Sequence, residues 1–191
     1  MRCKSFHRAV RTRLLLAATA MMSWTCPAVA AGTFAGKVVV VVDGDTIVVR
    51  DDRTVRHEIR LAGIDAPEIR QPYGVRSRGH LAELLYGKRV IVAWYKHDRY
   101  SRVLGRVMLP SGASCARPPC TIDAGWVQVT TGYAWHDRQH LDEQTVEDRV
   151  RYARAEHDAR LRRLGLWAET QPMPPWRYRH LHPRVASRAG D

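Results

Sequence analysis

Five consecutive valines, Val38 to Val42, constrain most strongly what this chain can fold into. β-Branched side chains lose rotamer freedom in a helix and pack well on a pleated surface, so Lys37 to Val42 reads as a strand. Asp43-Gly44 follows as a tight turn, and Asp45 to Arg50 reads as the hairpin partner. Asp51-Asp52-Arg53 makes a second turn before a third strand over Val55 to Leu61. Three strands joined by tight turns form a meander.

Beyond the meander the pattern alternates. Val75 to Tyr86 predicts a helix with Val75, Leu81, Ala82, Leu84 and Leu85 as its apolar residues and Gly74 and Gly87 at its ends. Val90 to Tyr95 and Val103 to Leu109 read as fourth and fifth strands. Asp123 is placed to cap a short helix ending near Gly132, although Gly125, Val127, Val129, Thr130 and Thr131 are poor helix formers. Thr145 to Arg163 is the clearest helix, carrying Val146, Val150, Ala153, Ala155, Ala159 and Leu161, with Gly165 as its stop. The expected class is α+β, mainly β: a small five-stranded barrel with about three helices packed outside. Propensity alone leaves several strand topologies open.

A length of 191 residues suits one domain with tails. Residues 1–30 read as a Sec-type signal peptide. A basic stretch runs to Arg13, an apolar run from Leu14 to Met22, and Ala28-Val29-Ala30 supplies a cleavage site near Ala30. The apolar run is too short to span a bilayer, so no membrane anchor is expected after cleavage, and the protein would be secreted or periplasmic. Lys+Arg of 31 against Asp+Glu of 19 gives +12; five of the positives sit in the signal, leaving 26 against 19, or +7. A basic domain suits a polyanionic partner through counterion release, although basicity alone is weak evidence for one. Cys3 and Cys26 leave with the signal. The remaining pair, Cys115 and Cys120, favours a disulfide in an exported domain. Pro118 and Pro119 already stiffen that loop, so the bridge would add ~2 kcal/mol or less. The domain is expected over 33–170. Residues 171–191 read as a Pro/Arg-rich tail without a core, disordered from Ala186 to Asp191.

Three blocks carry the chemistry: Asp43-Gly44-Asp45-Thr46, then Arg60 through Asp65-Ala66-Pro67-Glu68, then Asp98-Arg99-Tyr100-Ser101-Arg102. Taken singly, each has an ordinary explanation. Asp-Gly forms turns, Glu68 follows a proline turn, and arginines are plentiful. Together they supply hard carboxylate oxygens suited to a divalent cation, one more carboxylate to handle water, and two arginines whose planar forks suit a phosphate. That is an inventory for metal-assisted cleavage of a phosphodiester.

The order and spacing of these blocks resemble the thermonuclease (staphylococcal nuclease-like) family over roughly Gly36 to Trp167. The resemblance implies an OB-fold-type Greek-key barrel. It also implies a calcium-dependent nuclease that hydrolyses DNA and RNA, its partners, and leaves 3′-phosphate ends; a monomer is expected. By the same resemblance Asp45 and Asp65 would coordinate calcium by side chain, Ala66 by its backbone carbonyl, and Asp43 would stand in the outer shell. Glu68 would orient water or take its proton, Arg60 and Arg102 would hold the scissile phosphate, and Tyr100 would lie near the 3′ side of a nucleotide.

Two departures stand out. Ser101 occupies a position where the family has glycine, so a positive φ there would be strained. No tyrosine falls where the family carries a base-stacking one; Tyr133 and Trp135 are nearby but either can serve as core. The histidines show no zinc-type spacing. The main rival is a non-catalytic OB-fold nucleic-acid-binding module, which should have lost at least one of Asp45, Asp65, Glu68, Arg60 and Arg102; all five are present. An envelope structural protein would account for the basicity and the signal but not for the three ordered blocks.

Overall fold

The valine run lies within β1 (Gly32–Val41), which begins five residues earlier than the valine-rich pattern predicts. Both edges of β1 are used. β2 (Thr46–Asp51) pairs with it antiparallel on one side and β5 (Arg89–His97) on the other. A register shift between Val38 and Val40 marks a bulge, which bends and twists a strand and so lets one long strand serve two neighbours. β3 (Arg56–Leu61) continues the meander, and β6 (Val103–Pro110) returns antiparallel to β5. A short parallel ladder, Ile59 to Leu61 against Val103 to Gly105, then joins β3 to β6. The circuit β1-β2-β3-β6-β5 is thereby closed into the five-stranded ring expected of an OB-type barrel.

The computed structural model describes residues 31–110 and 121–183. The proposed signal peptide, the Cys115–Cys120 pair and the segment from Ala186 onward lie outside the described residues. Two features go beyond the expected five strands. β7 (Thr121–Asp123) extends the sheet along β6, and β4 (Ile64–Asp65) forms a separate two-stranded sheet with β8 (Trp135–His136). These pieces are two or three residues long, below the length at which residue pattern distinguishes a strand from a loop.

Four α-helices are described: α1 (Gly74–Leu85), α2 (Ala124–Thr130), α3 (Val146–Leu161) and α4 (Pro175–Leu181). Asp123 caps α2 as predicted, accepting the Trp126 amide at 3.2 Å. Thr145 caps α3 by accepting the Asp148 amide at 3.1 Å. The core combines Val38, Ile47, Val49 and Ile59 from the ring with Leu81 and Leu85 from α1 and Tyr152 and Ala155 from α3. No helix among the described residues is long and apolar enough to cross a membrane.

The buried face of α3 includes only part of its apolar set. Val146, Val150 and Leu161 are exposed, whereas Tyr152, Ala155, Glu156 and Ala159 are buried. Polar anchoring decides the orientation. The Tyr152 hydroxyl donates to Asp123 at 3.0 Å, and buried Glu156 pairs with Arg138 and Arg160. Leaving that buried carboxylate unpaired would cost about 3–5 kcal/mol. The tail also differs from a coreless extension, because α4 seats Trp176 against Trp135 at 5.4 Å between ring centroids.

His136 is buried, with Nε2 2.8 Å from Gln144 Oε1 and Nδ1 without a partner. Burial lowers its pKa below the usual 6.5, and the charge of Arg138 acts in the same direction. The unfolded chain therefore binds a proton at this position before the folded chain does, and stability is lost as pH falls below 6.5. In urea unfolding, the stability advantage of wild type over His136→Gln should shrink between pH 6.5 and 5, by at most about 1.4 kcal/mol per pH unit. An advantage that is constant with pH would contradict the neutral buried state.

Candidate active site

The first block is held in shape by its own backbone. Asp43 Oδ1 accepts the Asp45 amide at 2.9 Å, closing an Asx turn at the β1–β2 connection. Gly44 lies under α1, where a Cβ would come within 1.9 Å of Ser77 Oγ and 2.7 Å of the Ala66 Cβ. Its carbonyl accepts from buried Gln128 at 2.7 Å, and the Gln128 Oε1 pairs in turn with His80 Nδ1. The turn is therefore clamped between α1 and α2, and Asp45 is directed inward.

Hairpin register brings the second block to the first. Thr46 lies opposite Arg60 on β3, so the Arg60 guanidinium reaches the carboxylate beside Thr46. Its Nη1 donates to Asp45 Oδ1 at 2.6 Å and its Nη2 to Asp65 Oδ1 at 3.0 Å. Asp45 and Asp65 are each only 2% exposed. The Ala66 amide donates to Asp45 Oδ2 at 2.7 Å, and the Thr46 hydroxyl to Oδ1 at 2.9 Å. Glu68 follows on a loop fixed by Gln71 and by Gly74, whose missing side chain lets the start of α1 press on the Glu68 carbonyl.

A residue absent from the expected set completes this cluster. Arg179, on α4, donates from Nη1 and Nη2 to the two oxygens of Asp65 at 3.0 and 2.8 Å, and from Nη1 to Glu68 Oε1 at 2.8 Å. Nothing in the local sequence marks it, because it reaches Asp65 across 114 positions of the chain. The only hint was the tail's run of prolines, Trp176 and arginines.

The third block is near in topology but turned onto itself. Arg102 donates from Nε to Asp98 Oδ2 at 2.8 Å, and Asp98 also accepts the amides of Tyr100 and Arg102. Burial opposes charge on Asp98, yet the Arg102 guanidinium and these amides hold its carboxyl below the usual range. Ser101 adopts φ 62°, the left-handed conformation that glycine would take without strain. Tyr100 is exposed, with the Arg99 and Arg102 guanidinium carbons 4.9 and 5.3 Å from its ring centre. The parallel β3–β6 ladder begins with Val103 opposite Ile59, so this loop enters β6 next to the strand that carries Arg60. Half-buried Tyr133 stacks on His80, and Trp135 packs edge-on against Trp167 as part of the interior packing.

Electrostatically the cluster is short of positive charge, with four carboxyl groups against two guanidiniums. Burial, with the charge of Asp45 adding to it, pushes the Asp43 carboxyl up to about 7. Asp65 is raised by its burial against the pull of Arg179 and Arg60, whereas in Asp45 the opposing effect of burial is outweighed by Arg60 and the Ala66 amide. Among the described residues no three acidic, histidine or cysteine side chains form a ready cage for a metal. Two buried aspartates with a neighbouring backbone carbonyl are nonetheless hard oxygen donors in surroundings that favour added positive charge, and they fit a divalent cation such as calcium.

Residues 58–169 match the model of the family described as staphylococcal nuclease homologue. The chain belongs to the staphylococcal nuclease family. It is 37% identical over 145 residues to an uncharacterized endonuclease of Escherichia coli, covering 76% of this chain and 84% of that protein. It is 39% identical over 147 residues to a micrococcal nuclease of Shigella flexneri, covering 76% and 80% respectively. The Escherichia coli protein ParB is 36% identical over 167 residues, covering 87% of this chain and 90% of its own length.

Within this nuclease family architecture, Gly44 is held where the first block leaves no room for a side chain. Gly44→Ala should lower stability in urea unfolding by about 1–3 kcal/mol, the usual cost of forcing atoms into a packed site. A variant as stable as wild type would show that the turn is not clamped against α1.

Proposed function

We propose that this member of the nuclease family is an exported, calcium-dependent, monomeric hydrolase that cleaves phosphodiester bonds of DNA and RNA and leaves 3′-phosphate ends. The observation that supports it most is the convergence of Asp45, from the β1–β2 turn, and Asp65, from β4, on the Arg60 fork, with Glu68 joined to Asp65 through Arg179. Asp45, Asp65 and the Ala66 carbonyl would hold the cation, with Asp43 behind them. When bound, such a cation supplies charge stabilisation to a phosphoryl group and makes nearby water more acidic.

The remaining work falls to side chains. Arg60 spends one N–H on each aspartate and keeps others of its five for a phosphate oxygen. Arg102, held to Asp98 through Nε and Nη2, likewise retains donors for the phosphate. Glu68 lies within one guanidinium of Asp65 and would orient water or accept its proton as the phosphorus is attacked. Exposed Tyr100 offers a flat face beside Arg102 to the sugar or base.

Digestion of linear DNA and of RNA by the purified protein tests the reading. Cleavage is expected with calcium and should cease in EGTA. Glu68→Gln should slow turnover by roughly 10²–10⁴-fold. Arg102→Ala should cost on the order of 3–4 kcal/mol in the transition state, appearing in kcat more than in binding. Nucleic-acid binding without cleavage at any calcium concentration would establish the non-catalytic module instead, and wild-type turnover in Arg102→Ala would remove that residue from the phosphate site.

A further inference from the structure

The contacts of Arg179 conflict with those of a cation. Asp65 Oδ1 accepts from both Arg60 and Arg179, Asp65 Oδ2 accepts from Arg179, and Glu68 Oε1 accepts from Arg179 as well. Inner-sphere calcium sits about 2.3–2.6 Å from its oxygens. A cation bound to Asp65 would therefore stand against the Arg179 guanidinium, with two positive charges side by side and both competing for the same lone pairs.

The segment that carries Arg179 is attached at two points. Trp176 packs on Trp135, and Trp135 is the strand partner of Asp65 in the small β4–β8 sheet. Trp176 and Arg179 are three residues apart in α4, so one helix face serves both contacts. Gln71 Nε2 donates to the Met173 carbonyl at 2.6 Å, while its Oε1 accepts the Glu68 amide at 3.2 Å. The same glutamine thus couples the Glu68 loop to the chain entering α4. With its side chain about one-third exposed, Arg179 has a solvent-facing route by which it can leave without disrupting either anchor.

We propose that Arg179 is a tethered counter-ion that covers Asp65, a ligand of the proposed cation seat, together with neighbouring Glu68, and is exchanged for the divalent cation on binding, which makes α4 a gate on cation occupancy. This rests on the assignment of Asp65 as a cation ligand. Tethering gives the guanidinium a high effective concentration at the carboxylates, so the free cation binds against an internal competitor. Bound cation in turn releases Arg179 toward the cleft, and by linkage any group that draws Arg179 away tightens the cation by the same factor.

Calorimetric titration with calcium alone, without nucleic acid, tests this. Arg179→Ala should bind calcium at least about fivefold more tightly than wild type, within the usual range for coupling between two sites. Trp176→Ala, which loosens α4 but leaves every carboxylate in place, should shift affinity in the same direction by a smaller factor. Arg177→Ala removes an exposed positive charge from the same helix and should leave affinity unchanged. Far-UV circular dichroism would verify that each variant is folded. Equal affinity in wild type and Arg179→Ala would overturn the gate while leaving the calcium site standing. Weaker binding in Arg179→Ala would overturn it too, showing that Arg179 positions the carboxylates rather than competing for them. Absence of calcium binding in all four proteins would overturn both the gate and the cation assignment beneath it.

Discussion

The Arg60 guanidinium holds together two aspartates that would otherwise repel each other in a nearly water-free pocket. Asp45 comes from the β1–β2 turn and Asp65 from β4, and each is buried almost completely. Removing one partner of such a cluster leaves an uncompensated buried charge, which costs several kcal/mol. The surrounding fold acts to make this approach possible. The bulge in β1 allows ring closure, the β2–β3 register sets Arg60 opposite Thr46, and the clamp of Gln128 and Ser77 on Gly44 fixes the turn.

The same electrostatics connects the barrel to the tail. Four carboxyl groups cannot be satisfied by one guanidinium, and α4 supplies a second through Arg179. Packing of Trp176 against Trp135 provides the apolar part of that docking, and Arg160 covers the neighbouring indole faces, 4.0 Å from the Trp167 ring centre. An excess of buried acid is a cost to stability, and perturbed carboxyl groups of this kind concentrate at functional sites.

What was legible in the sequence followed from local rules. The valine run, the Asp43-Gly44 turn and the capping residue Asp123 each act on neighbours within a few positions, and the corresponding elements lie where those residues place them. The resemblance to the nuclease family supplied the ring topology and the residue set around Arg60. Features decided at long range were not legible. Residues 64–65 and 135–136 become strands only because they meet each other, and α4 is held by contacts to residues about 40 and 100 positions away. The exposure of Val146, Val150 and Leu161 on α3 has a similar origin: Glu156 pairs with Arg138 and the Tyr152 hydroxyl with Asp123, partners on other elements that fix the buried face. Ser101 shows the reverse case, a departure visible in the sequence whose strained φ of 62° is found in the fold.

The central claim is that Asp45 and Asp65 form one cation site beside the Arg60 fork. Crystals grown with calcium and examined by anomalous scattering test it most directly. The account predicts a single strong peak between the two carboxylates, about 2.3–2.6 Å from an oxygen of each, with the Arg179 guanidinium withdrawn from Asp65. A calcium peak elsewhere, or none at saturating calcium with Arg179 still paired to Asp65, would contradict it.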